Sequence, residues 1–167
     1  LGRYLVNSVT RNDVARAFPG LYNAANSGFS LKLKFSSALA GDQIQVISRY
    51  TDDPAGNGNA VDYWFAPKTF NQNRAYLENF KVSGNQVHIS GWHASDQSVG
   101  KKYHYIIVFD KSKGKEITRY RVENKARTDI TRAYSNICNA GQSGFDINVP
   151  LTAGMVGDQI QVISRYT

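Results

Sequence analysis

Three histidines, thirteen acidic residues, one cysteine and many serines are the groups with which this chain could do chemistry. A metal site would need imidazoles, thiolates or carboxylates a few residues apart, as in His-x-x-x-His or Cys-x-x-Cys. His88, His93 and His104 have neither spacing, so no metal centre of that kind is expected. No Gly-x-Ser-x-Gly elbow activates a serine, and no glycine-rich phosphate loop is present. Glu78, Glu116 and Glu123 are the only glutamates, so a carboxylate pair for glycoside hydrolysis would have to come from aspartates. Asp52, Asp53 and Asp62 form the densest acidic group. Two readings stay open for it: a weak Ca²⁺ cluster without the EF-hand register, or a polar hairpin loop closed by Asx-type hydrogen bonds. These residues predict no catalytic site and no obligatory cofactor.

Binding chemistry is better represented. The formal net charge of +7 and pI of about 9.5 favour polyanionic partners. Nothing resembles a recognition helix or an RNA-binding aromatic motif, so nucleic acid is not expected. Lys32, Lys34, Lys101, Lys102, Lys111, Lys113 and Lys115 are spread along the chain, a pattern that suits either a wall rich in teichoic phosphates or a merely solvated surface. Tyr63, Trp64 and Phe65 are consecutive, so on a strand Trp64 faces away from its two neighbours. Trp64 and Trp92 can each be a core anchor or a platform for sugar rings. The candidate ligand-contacting set is Trp64, Tyr63, Trp92, His93, Tyr50 and Arg49.

The elements that must position these groups are set out by an internal repeat. Sliding the chain by 116 positions aligns residues 1–51 with 117–167 without a gap, giving 23 identities in 51 pairs. Eleven of them form one block, GDQIQVISRYT, at Gly41–Thr51 and Gly157–Thr167. Mismatches conserve physical type, as in Val14/Ile130, Leu21/Ile137, Leu31/Ile147 and Leu33/Val149. Cys138 aligns with Tyr22, which predicts a small buried or half-buried residue rather than a nucleophile. Tyr103–Glu116 has no counterpart before Leu1, and Asp52–Ala66 has none after Thr167. The frame predicts a piece of a longer repetitive protein. Residues 1–72 would be the C-terminal part of one unit plus a connector, and 73–167 a second unit lacking its last strand.

Period-two alternation with polar turns predicts antiparallel strands. Hairpins are expected around Ser83-Gly84-Asn85, between Tyr103–Phe109 and Ile117–Val122, and between Gln43–Tyr50 and Ala60–Ala66. Residues 1–6 should repeat the Ile117–Val122 strand. Phe29–Phe35 (FSLKLKF) should be a half-buried strand. Arg11–Phe18 and Arg127–Tyr134 predict short helical turns, the first capped by Asn12 or Asp13. Pro67–Asn73 should connect the units. The expected fold is all-β: tandem immunoglobulin-like antiparallel β-sandwiches, each with a short helical turn and the terminal units incomplete. The edge beside Ile160–Tyr166 should be bare, open to head-to-tail strand complementation or shielded in some other way.

Gly91–Val122, Val14–Phe29 and Gly41–Pro67 resemble modules that recur in tandem in exported proteins of lactic acid bacteria, including non-catalytic regions of secreted lysozyme-type muramidases. The resemblance covers essentially the whole chain and transfers no catalytic residues. It implies an extracellular, wall-associated targeting or spacer role, at most the accessory region of a peptidoglycan hydrolase. Partners would be cell-wall polysaccharide or teichoic acid, or other proteins if the repeat is a mechanical or adhesion spacer. No membrane insertion is expected, since no apolar run is long enough to span a bilayer.

Overall fold

The computed structural model describes residues 2–167. The described residues form ten strands: β1 (Gln43–Ile44), β2 (Ile47–Thr51), β3 (Ala60–Trp64), β4 (Lys68–Thr69), β5 (Asn73–Ser83), β6 (Gln86–Ser95), β7 (His104–Asp110), β8 (Lys115–Val122), β9 (Gly144–Pro150) and β10 (Ile160–Tyr166). Two short helices, α1 (Asn12–Ala17) and α2 (Thr128–Ala133), accompany them. The protein is mostly β, and every strand pair is antiparallel. It divides into two compact units: Leu1–Lys34 with Ile47–Phe65, and Phe35–Val46 with Ala66–Thr167.

The larger unit carries two three-stranded sheets, ordered β5-β6-β9 and β10-β7-β8. The β5–β6 hairpin closes where the alternation predicts, with Ser83 opposite Gln86 across Gly84-Asn85. Gly84 takes φ 58, a left-handed value that its lack of a Cβ makes cheap at the first position of a two-residue hairpin loop. Val87 and Ile89 from β6, Ile106 and Val108 from β7, and Phe145 and Val149 from β9 meet in one apolar cluster fed by both sheets. A second cluster joins Trp92 and Ala94 to Ile130, Ile137 and Ala140 around α2. Gly91 is required between them: a Cβ there would stand 2.3 Å from the Tyr76 carbonyl oxygen and 3.0 Å from the Phe145 ring. The segment expected as a connector contributes β4, which pairs with β1.

In the smaller unit the repeat is reproduced locally. α1 matches α2, and the Val9–Gly28 bridge matches Lys125–Gly144. Ser27 and Ser143 each donate to the carbonyl of the alanine three residues earlier, at 2.8 Å. Neither Asn12 nor Asp13 caps α1. Arg11 is the N-cap residue, and Asp13 is drawn off by its guanidinium at 2.6 and 2.8 Å. β2 and β3 form a hairpin, but the arm expected over Gln43–Tyr50 is broken, since Gln43 and Ile44 pair with Thr69 and Lys68 instead.

The non-local part is not reproduced. Residues 29–35 form no strand, whereas the copies of 29–34 lie in β9, paired to β6 in unbroken register. A strand needs a neighbour to bond, and the described residues of this unit offer none on that side. Residues 2–6 likewise form no strand, and Leu1 lies outside the described residues. Phe29, Leu31 and Leu33 are 44, 46 and 57% exposed, while Phe145 and Val149, copies of the first and last, are 4 and 0% exposed.

Candidate functional site

Alternation on β6, β7 and β10 brings three polar side chains together between the sheets of the larger unit. Ser164 Oγ on β10 lies 2.8 Å from His93 Nδ1 on β6 and 2.7 Å from His104 Nε2 on β7. The outer ring nitrogens face Asn73 Oδ1 and Asn124 Oδ1, each at 2.7 Å. Both asparagine oxygens accept, so both imidazoles would place their acceptor nitrogen on Ser164. One hydroxyl hydrogen cannot serve two acceptors. The network closes only if one imidazole is doubly protonated or one asparagine presents its amide nitrogen instead. Burial opposes the first route: it pushes His93 down to about 4, with the His104 charge adding to the effect, and lowers His104 as well. Tyr166 stacks on His104 with centroids 4.3 Å apart and donates to the His93 carbonyl oxygen at 2.8 Å.

Ser164, His104 and Asn124 have the order of a nucleophile, base and orienting group. The hydroxyl is nevertheless held by two imidazoles and does not line the neighbouring cleft. The arrangement acts as a polar clamp joining one sheet to the other.

That cleft, about 350 Å³, opens at the end of β7 and β8 over His104 and Tyr166. Exposed Lys101, Lys102 and Arg121 line it together with Tyr103, and Glu123 is the acidic residue among them. The Arg121 guanidinium lies over the Tyr103 ring, 4.4 Å from its centroid. Asn124 and Asn139 also line it, but Asn124 Oδ1 is held by His104, and Asn139 is spent on the Ser95 N–H, the His93 carbonyl oxygen and Tyr166. Cations and an aromatic ring in one concavity suit a ligand that is both anionic and hydroxylated. Lys101-Lys102-Tyr103 and the run Arg121–Asn124 are linear traces of this site. Arg121, Asn124 and Asn139 join it through strand pairing and a loop.

The residues singled out from the sequence are divided between the two units, Arg49, Tyr50, Tyr63 and Trp64 in the smaller and Trp92 and His93 in the larger. Trp92 is 8% exposed and belongs to the core, its ring 5.4 Å from that of Tyr134, so it offers no sugar platform. His93 is committed to the clamp. Tyr50, Tyr63 and Trp64 are exposed in the smaller unit, and Tyr63 packs edge-on against Phe65. Arg49 is occupied by Asp62, with Nε and Nη2 donating at 2.7 and 2.6 Å. Asp53 accepts backbone N–H groups of Ala55, Asn57 and Gly58, the pattern of an Asx-closed loop. Among the described residues no group of three His, Cys, Asp or Glu side chains is placed to hold a metal ion. Cys138 is exposed rather than buried. Partial desolvation and the nearby Asp96 carboxylate push its thiol up to about 11.

No helix among the described residues is long and apolar enough to cross a membrane. Comparison with protein-family models, with curated proteins and with solved structures finds no match.

Proposed function

We propose that this chain is a non-catalytic, wall-binding part of an extracellular bacterial surface protein or peptidoglycan hydrolase, built as tandem immunoglobulin-like sandwiches. The observation that carries this reading is the cleft lined by Lys101, Lys102, Arg121 and Tyr103, with Arg121 over the Tyr103 ring. A teichoic-type polymer presents phosphates to such cations and polyol or sugar faces to such a ring. Two sheets contributing to one core, and the resemblance of the sequence to exported modules of lactic acid bacteria, support the architecture. The doubly held Ser164 supports the absence of catalysis.

The test is retention of the protein on purified Gram-positive walls, with and without their teichoic acid. The expected result is retention on intact walls that is lost on stripped walls and weakens steeply as salt rises through physiological strength. Equal retention on both preparations, or on neither, would refute it.

A second reading, a mechanical or adhesion repeat working through protein contacts, is favoured by β10, which pairs with β7 on one side and with no described strand on the other. Head-to-tail association at that edge, with no wall retention, would select it.

A further inference from the structure

In the larger unit the turn between β7 and β8 is bound to the loop before β10. Lys111 N donates to the Gln159 carbonyl oxygen, and Gln159 N donates to Ser112 Oγ, both at 2.9 Å. Asp110, the last residue of β7, stands opposite Ile160 of β10 and is 1% exposed. Its Oδ1 accepts the Lys113 backbone N–H at 2.9 Å. Its Oδ2 is buried without a hydrogen-bond partner, the one such side-chain atom among the described residues.

A carboxylate oxygen in that state is rare in a native fold, because the desolvation of its charge goes uncompensated. Where one persists it points to a bound water, a bound ion or a catalytic role. Lys113 Nζ approaches Asp110 Oδ2 to 3.6 Å, beyond hydrogen-bond reach. The same ammonium bonds Asp158 Oδ2, so it stands between two carboxylates and satisfies one of them. The Asp158 side chain is 18% exposed and that of Lys113 is 52% exposed, so two sheltered acids flank a cation that reaches in from solvent. The hydrogen bond to Asp158 holds the Lys113 ammonium above the ordinary lysine value.

We propose that Asp110 and Asp158 form a Ca²⁺ site for which Lys113 is a tethered competitor. Ca²⁺ is a hard cation that takes oxygen ligands in irregular geometry, with water completing its shell. One divalent ion cancels the charge of both carboxylates, whereas one ammonium leaves half of it uncompensated. As the ion enters, Lys113 swings out to solvent, and the metal joins the turn to the β10 loop beside the Gln159 bonds. With two protein carboxylates the affinity falls in the weak range of extracellular modules, a Kd of about 10⁻⁴–10⁻³ M. The site lies at the opposite end of β7 from the cleft and is independent of wall binding.

The experiment titrates the chain with CaCl₂ at constant ionic strength by calorimetry and places the ion by amide NMR shifts. Saturable binding is expected, with shifts centred on residues 110–113 and 157–160. Lys113→Met should tighten binding about tenfold by removing the competing charge, and Asp158→Asn should abolish it. Asp110→Asn should also abolish it. If that buried variant fails to fold, Asp158→Asn at the more exposed partner carries the test. No saturable binding in either the parent or the Lys113→Met chain would overturn the proposal. So would shifts centred on Asp52–Asp62, unchanged affinity in Lys113→Met, or binding that survives Asp158→Asn.

Discussion

The hydroxyl of Tyr166 donates to the backbone carbonyl oxygen of His93 across 2.8 Å, tying the end of β10 to β6. Asn139 Nδ2 donates to the same two oxygens, at 3.0 Å to Tyr166 and 3.3 Å to His93, so the bond sits in a small closed network. Burial pushes the Tyr166 phenol up to about 12, which keeps it a donor throughout the neutral range.

Tyr166→Phe removes this donor without removing the ring. It should cost about 1 kcal/mol in urea unfolding, the usual net worth of one intramolecular hydrogen bond. Tyr50→Phe, at the equivalent position of the other repeat copy, alters a side chain on a residue 56% exposed and should leave the midpoint unchanged.

The clamp also sets a pH dependence. His93 titrates near 4 in the folded protein and near 6.5 when unfolded. Between those values the unfolded chain binds more protons, so stability falls as pH falls through that window. It is complete above about 6.5 and declines no further from this source below about 4. Urea midpoints measured from pH 7.5 to 4 should fall across the window, with a smaller slope in a His93→Gln variant. A flat profile in the parent protein would contradict the clamp.

Copies of one core position should respond differently. Val149→Ala opens a cavity at a fully buried site and should cost about 2 kcal/mol. Leu33→Ala at its exposed copy should change stability by less than about 0.5 kcal/mol. Thermal unfolding of the two variants beside the parent protein checks both.

Wall retention should follow the cleft and not the tryptophans. Replacing Lys101, Lys102 and Arg121 by glutamine should lower retention by about tenfold or more, the equivalent of about 1.4 kcal/mol. Trp64→Ala should leave retention unchanged. Trp92→Ala should destabilise the larger unit by about 3–5 kcal/mol, as expected for a buried aromatic, and circular dichroism will separate that loss of fold from a loss of ligand.

Sequence alone determined what short-range physics controls. The turn at Gly84-Asn85, the hairpins on either side of it, and the paired helical turns at Asn12–Ala17 and Thr128–Ala133 all depend on residues close in the chain. The mostly β, antiparallel character followed from the same alternation. Tertiary structure decided the rest, because a strand's hydrogen bonds and its buried face are supplied by distant residues. FSLKLKF has the stricter alternation of the two copies and forms no strand, while FDINVPL, ending beside a proline, pairs with β6 and supplies core. The same dependence put Trp92 inside, committed His93 to Ser164 and laid Arg121 over Tyr103. Side chains that look equivalent in the repeat differ in exposure because, among the described residues, one copy is paired to β6 and the other to no strand.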